Sequence, residues 1–281
     1  MPIKIYRPTT PGRRKASVQD FSDVTTMNPT KSLLRSFKEN AGRNNSGKIT
    51  VRHRGGGVKR LYRMVDFRQE ILDVPATVRQ IEYDPNRGPR VALIEYENGV
   101  KSYILAPAGL KVGDKILSSM KAIEPITGSR MPIKHIPVGM FIHNVELLPG
   151  TGGKLVRGAG NGAQIQTIEG EYAQLKLPSG EVRLVMIDCR ASLGAIGNPD
   201  YKLIRLGTAG RKRRKGWRPA VTGKAMNPVD HPHGGGEGHN PIGLKRGPKT
   251  LWGKPAMGVK TRKRDKASNK FILKRRKNNK E

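Results

Sequence analysis

The chain has 281 residues, with 54 Lys and Arg against 22 Asp and Glu, a formal net charge of +32. A field of that size repels cations and draws polyanions, so the expected partner is nucleic acid. One cysteine, Cys189, excludes an internal disulfide and a multi-cysteine zinc site, and no apolar run reaches the ~20 residues of a bilayer span.

The charge is unevenly placed. Residues 1–59 carry 13 Lys and Arg against 3 Asp and Glu, residues 60–200 carry 17 against 15, and residues 201–281 carry 24 against 4. A nearly neutral middle between two basic ends is the layout of a globular body with nucleic-acid-binding extensions. Pro2, Lys4, Arg7 and Pro8 interrupt any apolar leader, and Pro8, Pro11 and Gly12 oppose an amphipathic transit helix, so a cytoplasmic protein is expected. The expected partition is a basic extension at 1–59, barrels at 60–128 and 129–200, and a basic extension at 201–281.

In chain order, Leu33, Leu34 and Phe37 suggest one apolar turn closed by Gly42. Residues 42–57, GRNNSGKITVRHRGGG, read as a loop, a short β-branched run and a glycine triplet. The middle reads as β structure: Ala76–Tyr83, Arg90–Tyr96 and Val100–Leu105 are rich in Val, Ile and Tyr, and Asn98-Gly99 predicts a tight hairpin turn. Tyr172–Leu177 alternates, with Ala173, Leu175 and Leu177 on one face. Val182–Ile187 answers with Val182, Leu184 and Met186 expected inward, across a turn at Pro178, Ser179 and Gly180. Short strands with frequent turns predict two small antiparallel barrels with a seam near Pro125–Pro132. Cys189 reads as a small buried apolar residue. After Tyr201 the pattern gives way to Gly, Pro, Lys and Arg, too polar to fold alone.

Three segments carry chemistry. Arg211, Lys212, Arg213, Arg214 and Lys215 form an unbroken cationic run beside Trp217, and Lys274–Lys277 forms a second. Such runs repel themselves unless phosphates neutralise them, although a localisation signal or a solvated tail has the same composition. Arg52, His53 and Arg54 precede Gly55, Gly56 and Gly57, whose bare backbone lets the main chain approach an RNA strand. Aromatic residues are only 5% of the chain, so contacts to phosphate and sugar are expected rather than a base-stacking sheet.

The third segment, Met226–Gly238 (MNPVDHPHGGGEG), gathers Asp230, His231, His233 and Glu237 among prolines and glycines. It admits a metal site with His239, an acid–base pair in which Asp230 orients His231, or an ordered loop laid against RNA. The first lacks a second ligand cluster and the second lacks a nucleophile. At the level of the whole chain, the corresponding rivals are a histidine-dependent transferase or nuclease and a non-specific DNA-binding protein.

MNPVDHPHGGGEG resembles the signature of the universal large-subunit ribosomal protein L-two family, in a layout closest to its bacterial form. Residues 42–67, Tyr83–Arg87 (YDPNR), Ile136–Leu148, Gly180–Arg190 (GEVRLVMIDCR), Ala209–Arg218 (AGRKRRKGWR) and Trp252–Lys254 fit in the same order. Met140, His239 and Leu251 depart locally. The resemblance implies a mainly β fold, an OB-like barrel followed by an SH3-like barrel with long basic irregular N- and C-terminal extensions. It implies a structural, primary 23S-type rRNA-binding protein near the peptidyl transferase centre that supports subunit association, tRNA binding and peptide-bond formation. Partners would be large-subunit rRNA, the small subunit and neighbouring ribosomal proteins, with no membrane, no small-molecule substrate and no cofactor beyond Mg ions that could bridge rRNA. The rRNA-binding set expected on these segments is Arg52–Gly57, Lys59, Arg60, Arg87, Arg211–Lys215, Trp217, Arg218, Asn227, His231, His233, Gly234, Gly235, Gly236, Lys274, Arg275 and Arg276. A catalytic role proposed for the family is disputed; it would fall on His231 beside Asp230, which are carried as functionally sensitive positions and not as a catalytic dyad.

Overall fold

The computed structural model describes residues 3–237 and 241–276. It is mainly β. Its strands are β1 (Ile3–Ile5), β2 (Ser17–Gln19), β3 (Leu34–Ser36), β4 (Leu61–Arg63), β5 (Ala76–Glu82), β6 (Val91–Tyr96), β7 (Lys101–Leu105), β8 (Lys115–Ile116), β9 (Arg130–Pro132), β10 (Phe141–His143), β11 (Val145–Glu146), β12 (Gly153–Leu155), β13 (Ala163–Glu169), β14 (Tyr172–Lys176), β15 (Val182–Met186), β16 (Arg190–Leu193) and β17 (Ile272–Lys274). The α-helix among the described residues is α1 (Ala209–Arg214), too short and too charged to cross a membrane. The chain divides into two compact units, the first of Met1–Lys38, Lys59–Ala209 and Ser268–Glu281, the second of Glu39–Val58 and Gly210–Ala267.

In the first unit, an OB-like barrel is followed by an SH3-like barrel. The OB-like sheet has the order β7-β6-β5-β8, all antiparallel. β6 carries the run Val-Ala-Leu-Ile because both its faces are covered. Ala92, Ile94 and Tyr96 enter one core with Val78, Ile104 and Ile116. Val91 and Leu93 enter another with Tyr103 and Ile196, against Leu33 and Phe67. The SH3-like sheet has the order β17-β15-β14-β13-β10-β16-β9, around a core that includes Met131, Ile142, Ile165, Leu175 and Leu193. Cys189 lies in this core fully buried, and burial, with Glu146 and Asp188 nearby, pushes its thiol up to about 12.

Four expectations shift. The apolar turn over Leu33–Phe37 is instead a 3-10 turn at Lys31–Leu33 that runs into β3, because Leu34, Arg35 and Ser36 pair with Arg63, Tyr62 and Leu61. The β6–β7 connection spans residues 97–100, and of Asn98 and Gly99 only Gly99 takes positive φ (+82°). Its N–H donates to the Tyr96 carbonyl at 2.8 Å, and the Asn98 side chain accepts from Val100 N–H at 3.1 Å, so the turn is longer than a two-residue type I′ connection. On β15 the fully buried residue is Val185, which pairs with Ala173, whereas Val182 and Leu184 stay partly exposed opposite Lys176 and Gln174; Met186, as expected, packs against the core. Finally, the basic C-terminal stretch is not irregular throughout: β17 adds to β15, and the Phe271 ring lies tilted against Tyr172, centroids 6.1 Å apart.

Between the two sheets lies a buried ionic cluster. Arg130 and Glu146 are fully buried and joined at 3.0 Å, with Arg190 Nε 3.7 Å from the same carboxylate oxygen. Further hydrogen bonds support the pair: Arg130 donates to the Asn144 carbonyl at 2.8 Å, and Glu146 accepts from the backbone N–H groups of Gly150 and Arg190, each at 3.1 Å, while Arg130 Nε is buried without a partner. Arg190 also donates to the Gln69 carbonyl, which accepts from the Ser118 hydroxyl, so residues of both barrels share the cluster.

Candidate nucleic-acid interface

In the second unit, two segments far apart in sequence are knitted together. Helix α1 carries Arg211–Arg214 and ends where Gly216 N–H reaches back to the Arg213 carbonyl at 3.0 Å. The chain then runs antiparallel to residues 53–58. Gly55 N–H donates to the Gly216 carbonyl at 2.9 Å, Val58 N–H to the Arg214 carbonyl at 2.9 Å, and Arg218 N–H to the His53 carbonyl at 3.1 Å. Gly56 has φ +68°, where side chains are strained, and a Cβ there would lie 2.6 Å from Arg213 Nη1.

The cations here are not equivalent. The Arg213 guanidinium donates to the Gly55 and Gly56 carbonyls at 2.6 and 3.4 Å. Arg54 lies 3.3 Å over the Trp217 ring, a cation–π stack, and Arg52 lies 5.9 Å over Trp252. The Gly57 N–H donates to Glu39 at 3.4 Å. Lys212, Arg214 and Arg218 are exposed, as are Lys215 and Trp217, whereas Arg211 is half-buried.

The loop at Met226–Glu237 is built by its own backbone. Asn227 carbonyl accepts from the N–H groups of Asp230 and His231, His231 carbonyl from Gly234, and Met226 carbonyl from Gly235 at 3.0 Å. Position 234 admits only glycine, since an added Cβ would overlap the Asn227 carbonyl. The imidazoles are acceptors inside this weave: His231 Nδ1 accepts from His233 N–H at 3.0 Å, and His233 Nε2 from Lys249 N–H at 2.8 Å, the rings lying 4.7 Å apart. An acid–base dyad needs the carboxylate on the Nδ1–H of the histidine. Here that nitrogen faces a backbone donor, and among the described residues no hydrogen bond joins the exposed Asp230 carboxylate to either ring. Nor do three or more His, Cys, Asp or Glu among the described residues group to hold a metal ion. Gly238 and His239 of this stretch, and Lys277 of the terminal basic cluster, lie outside the described residues.

The other expected site residues belong to the first unit. Lys59 is exposed, and Arg60 donates to the Pro85 carbonyl at 3.3 Å. Arg87 is braced: it pairs with Asp84 at 2.6 Å, donates to the Arg63 carbonyl and packs over Tyr62 and Phe67. Lys274 sits in β17, with Arg275 and Arg276 exposed beyond it. One further basic feature was not foreseen from the sequence: an open cleft of about 640 Å³ whose lining includes Arg68, Lys154, Arg157 and Phe67. Arg157 lies 4.3 Å over the Phe67 ring. These cations are isolated in sequence and meet only through folding.

Comparison with known families agrees with this picture. Residues 30–118 match the family model described as Ribosomal Proteins L2, RNA binding N-terminal domain, and residues 126–253 match Ribosomal Proteins L2, C-terminal domain. Together these take in about three quarters of the chain. The chain therefore belongs to the ribosomal protein L2 family, and is a ribosome-associated, structural, RNA-binding constituent that binds the rRNA of the large subunit.

Proposed function

We propose that this chain is a primary binder of 23S-type rRNA beside the peptidyl transferase centre of cytoplasmic ribosomes. There it supports subunit association, tRNA binding and peptide-bond formation without supplying a catalytic group, and meets the small subunit and neighbouring ribosomal proteins. The observation that carries this reading is the knitting of residues 53–58 to residues 213–218, which gathers the chain's densest cations and bare glycine backbone onto one platform. Arg52, Lys212, Arg214 and Arg218 are assigned to phosphates, and the loop at Met226–Glu237 to close backbone approach along RNA, with Asn227, His231 and His233 within reach of 2′-hydroxyls and base edges. Lys59, Arg60, Arg87 and Lys274–Arg276 extend the rRNA contacts from the first unit. The functional partition is a basic arm at 1–59, barrels at 60–128 and 129–200, and a basic arm at 201–281.

The test is binding of the full chain to transcribed large-subunit rRNA across a salt series. Affinity is expected to fall steeply and linearly in log–log form. A salt-independent affinity, or equal affinity for duplex DNA, overturns the reading. For His231, particles reassembled with His231→Ala are expected to be nearly complete yet weak in subunit joining or peptide-bond formation; normal performance in both removes the assigned sensitivity.

A further inference from the structure

We infer that Arg213 is a positioning residue: its guanidinium does not meet RNA but holds the Gly55–Gly56 turn in the shape through which the neighbouring cations and main chain do. The inference rests on the rRNA-binding reading above and sharpens it within the same platform.

In the run Arg211–Lys215, sequence offers no reason to separate one cation from the next. The fold does. Arg213 spends two of its donor contacts on consecutive backbone carbonyls, Gly55 at 2.6 Å and Gly56 at 3.4 Å. Both contacts leave from one nitrogen, Nη1, which the rigid planar guanidinium aims between the two carbonyls; a lysine ammonium, carried on a side chain one bond shorter, would not be placed there in the same way. The fit is mutual, because a Cβ at Gly56 would collide with the guanidinium at 2.6 to 3.0 Å from all three of its terminal atoms. The same turn is tied on its other side by Gly55 N–H to Gly216 carbonyl and Val58 N–H to Arg214 carbonyl, so Arg213 closes a frame whose other members are main chain. Lys212 and Arg214, its neighbours on the helix, are exposed and keep their charge available. The cationic run thus divides into one residue that shapes the platform and others that neutralise phosphate.

Charge and shape separate in a salt series with full-length chain and transcribed large-subunit rRNA as the probe. Removing a phosphate contact, as in Lys212→Gln, should lower the log–log slope by about 0.7 to 0.9. Arg213→Gln should instead weaken binding about tenfold at fixed salt, with the slope unchanged. Arg213→Lys, which keeps the charge but shortens the side chain by one bond and loses the planar group, should not restore affinity. Gly56→Ala attacks the same contact from the other partner. It should match Arg213→Gln, and the double variant should be no weaker than either single one. A reduced slope in Arg213→Gln, rescue by lysine, or additive losses would overturn the positioning role, as would wild-type affinity in both single variants. If the unaltered chain shows no salt-dependent rRNA binding, the rRNA reading itself falls; if it does and Arg213→Gln binds equally, only the role of Arg213 falls.

Discussion

His143 is 2% exposed, and its Nδ1–H donates to the Gly194 carbonyl at 2.8 Å. Burial is the main reason that its imidazole is held down to about 4, with Arg130 adding a smaller push in the same direction. The sign follows from where each state takes up its proton. The unfolded chain protonates this group below about pH 6.5, whereas the folded chain resists until about pH 4, so acid favours unfolding across that window. Stability of the first unit should fall by about 2 kcal/mol between pH 7 and pH 5 from this group, and His143→Gln should remove that part of the loss. Urea unfolding of both chains at the two pH values checks it; equal losses would sink the assignment. Glu146 carries a second residue-scale prediction. Replacing it by Gln leaves Arg130 and Arg190 buried without their shared anion, which should cost about 3 to 5 kcal/mol in the same assay.

At the scale of elements, β17 is the informative case. It covers the edge of β15, and Phe271 meets Tyr172 on the face that also carries Met186. Deleting residues 268–281 should therefore lower the thermal midpoint of the barrel by a few degrees, equivalent to about 1 to 2 kcal/mol. An unchanged midpoint would show that the strand contributes no stability. This element also bears on how β15 was misread. Val182, Leu184 and Met186 look like a core face, and Arg183 and Val185 look like a mixed one, but Val185 is the fully buried member, and the strand that pairs with Val182 and Arg183 lies nearly ninety residues later. The strands β5, β6, β7 and β14 were legible because alternation, β-branching and turn residues are local signals. Helix α1 was not, since its cations read only as charge. Nor was the buried Arg130–Glu146–Arg190 cluster, because charged residues read as surface until a partner is known. The glycine triplet and the basic run were each visible in the sequence; their union was hidden, because it is made by backbone carbonyls and amides that every residue possesses.

At the scale of the whole molecule, the two units differ in what stabilises them. The first encloses three hydrophobic cores, whereas the second consists largely of exposed loop held by backbone hydrogen bonds around Gly55, Gly216 and Asn227. Few buried apolar contacts mean low free energies of local opening. Amide exchange in the free chain should be slow in β5, β6, β13 and β14 and fast at residues 39–58 and 210–237, with protection of the latter gained on binding rRNA. Uniformly slow exchange in the free chain would contradict this division. The charge map already pointed to it, since the neutral stretch is the one that folds around apolar side chains.

The bond from Arg213 to Gly55 joins residues 158 positions apart. During synthesis at about 5 to 20 residues per second, the glycine turn waits roughly 10 to 30 s for the side chain that completes it. On the proposed rRNA-binding reading, residues 53–58 should therefore engage RNA firmly only after Arg213 has emerged. RNA met before then is expected to find a loose arm it can release, a delay set by the sequence separation of the two partners.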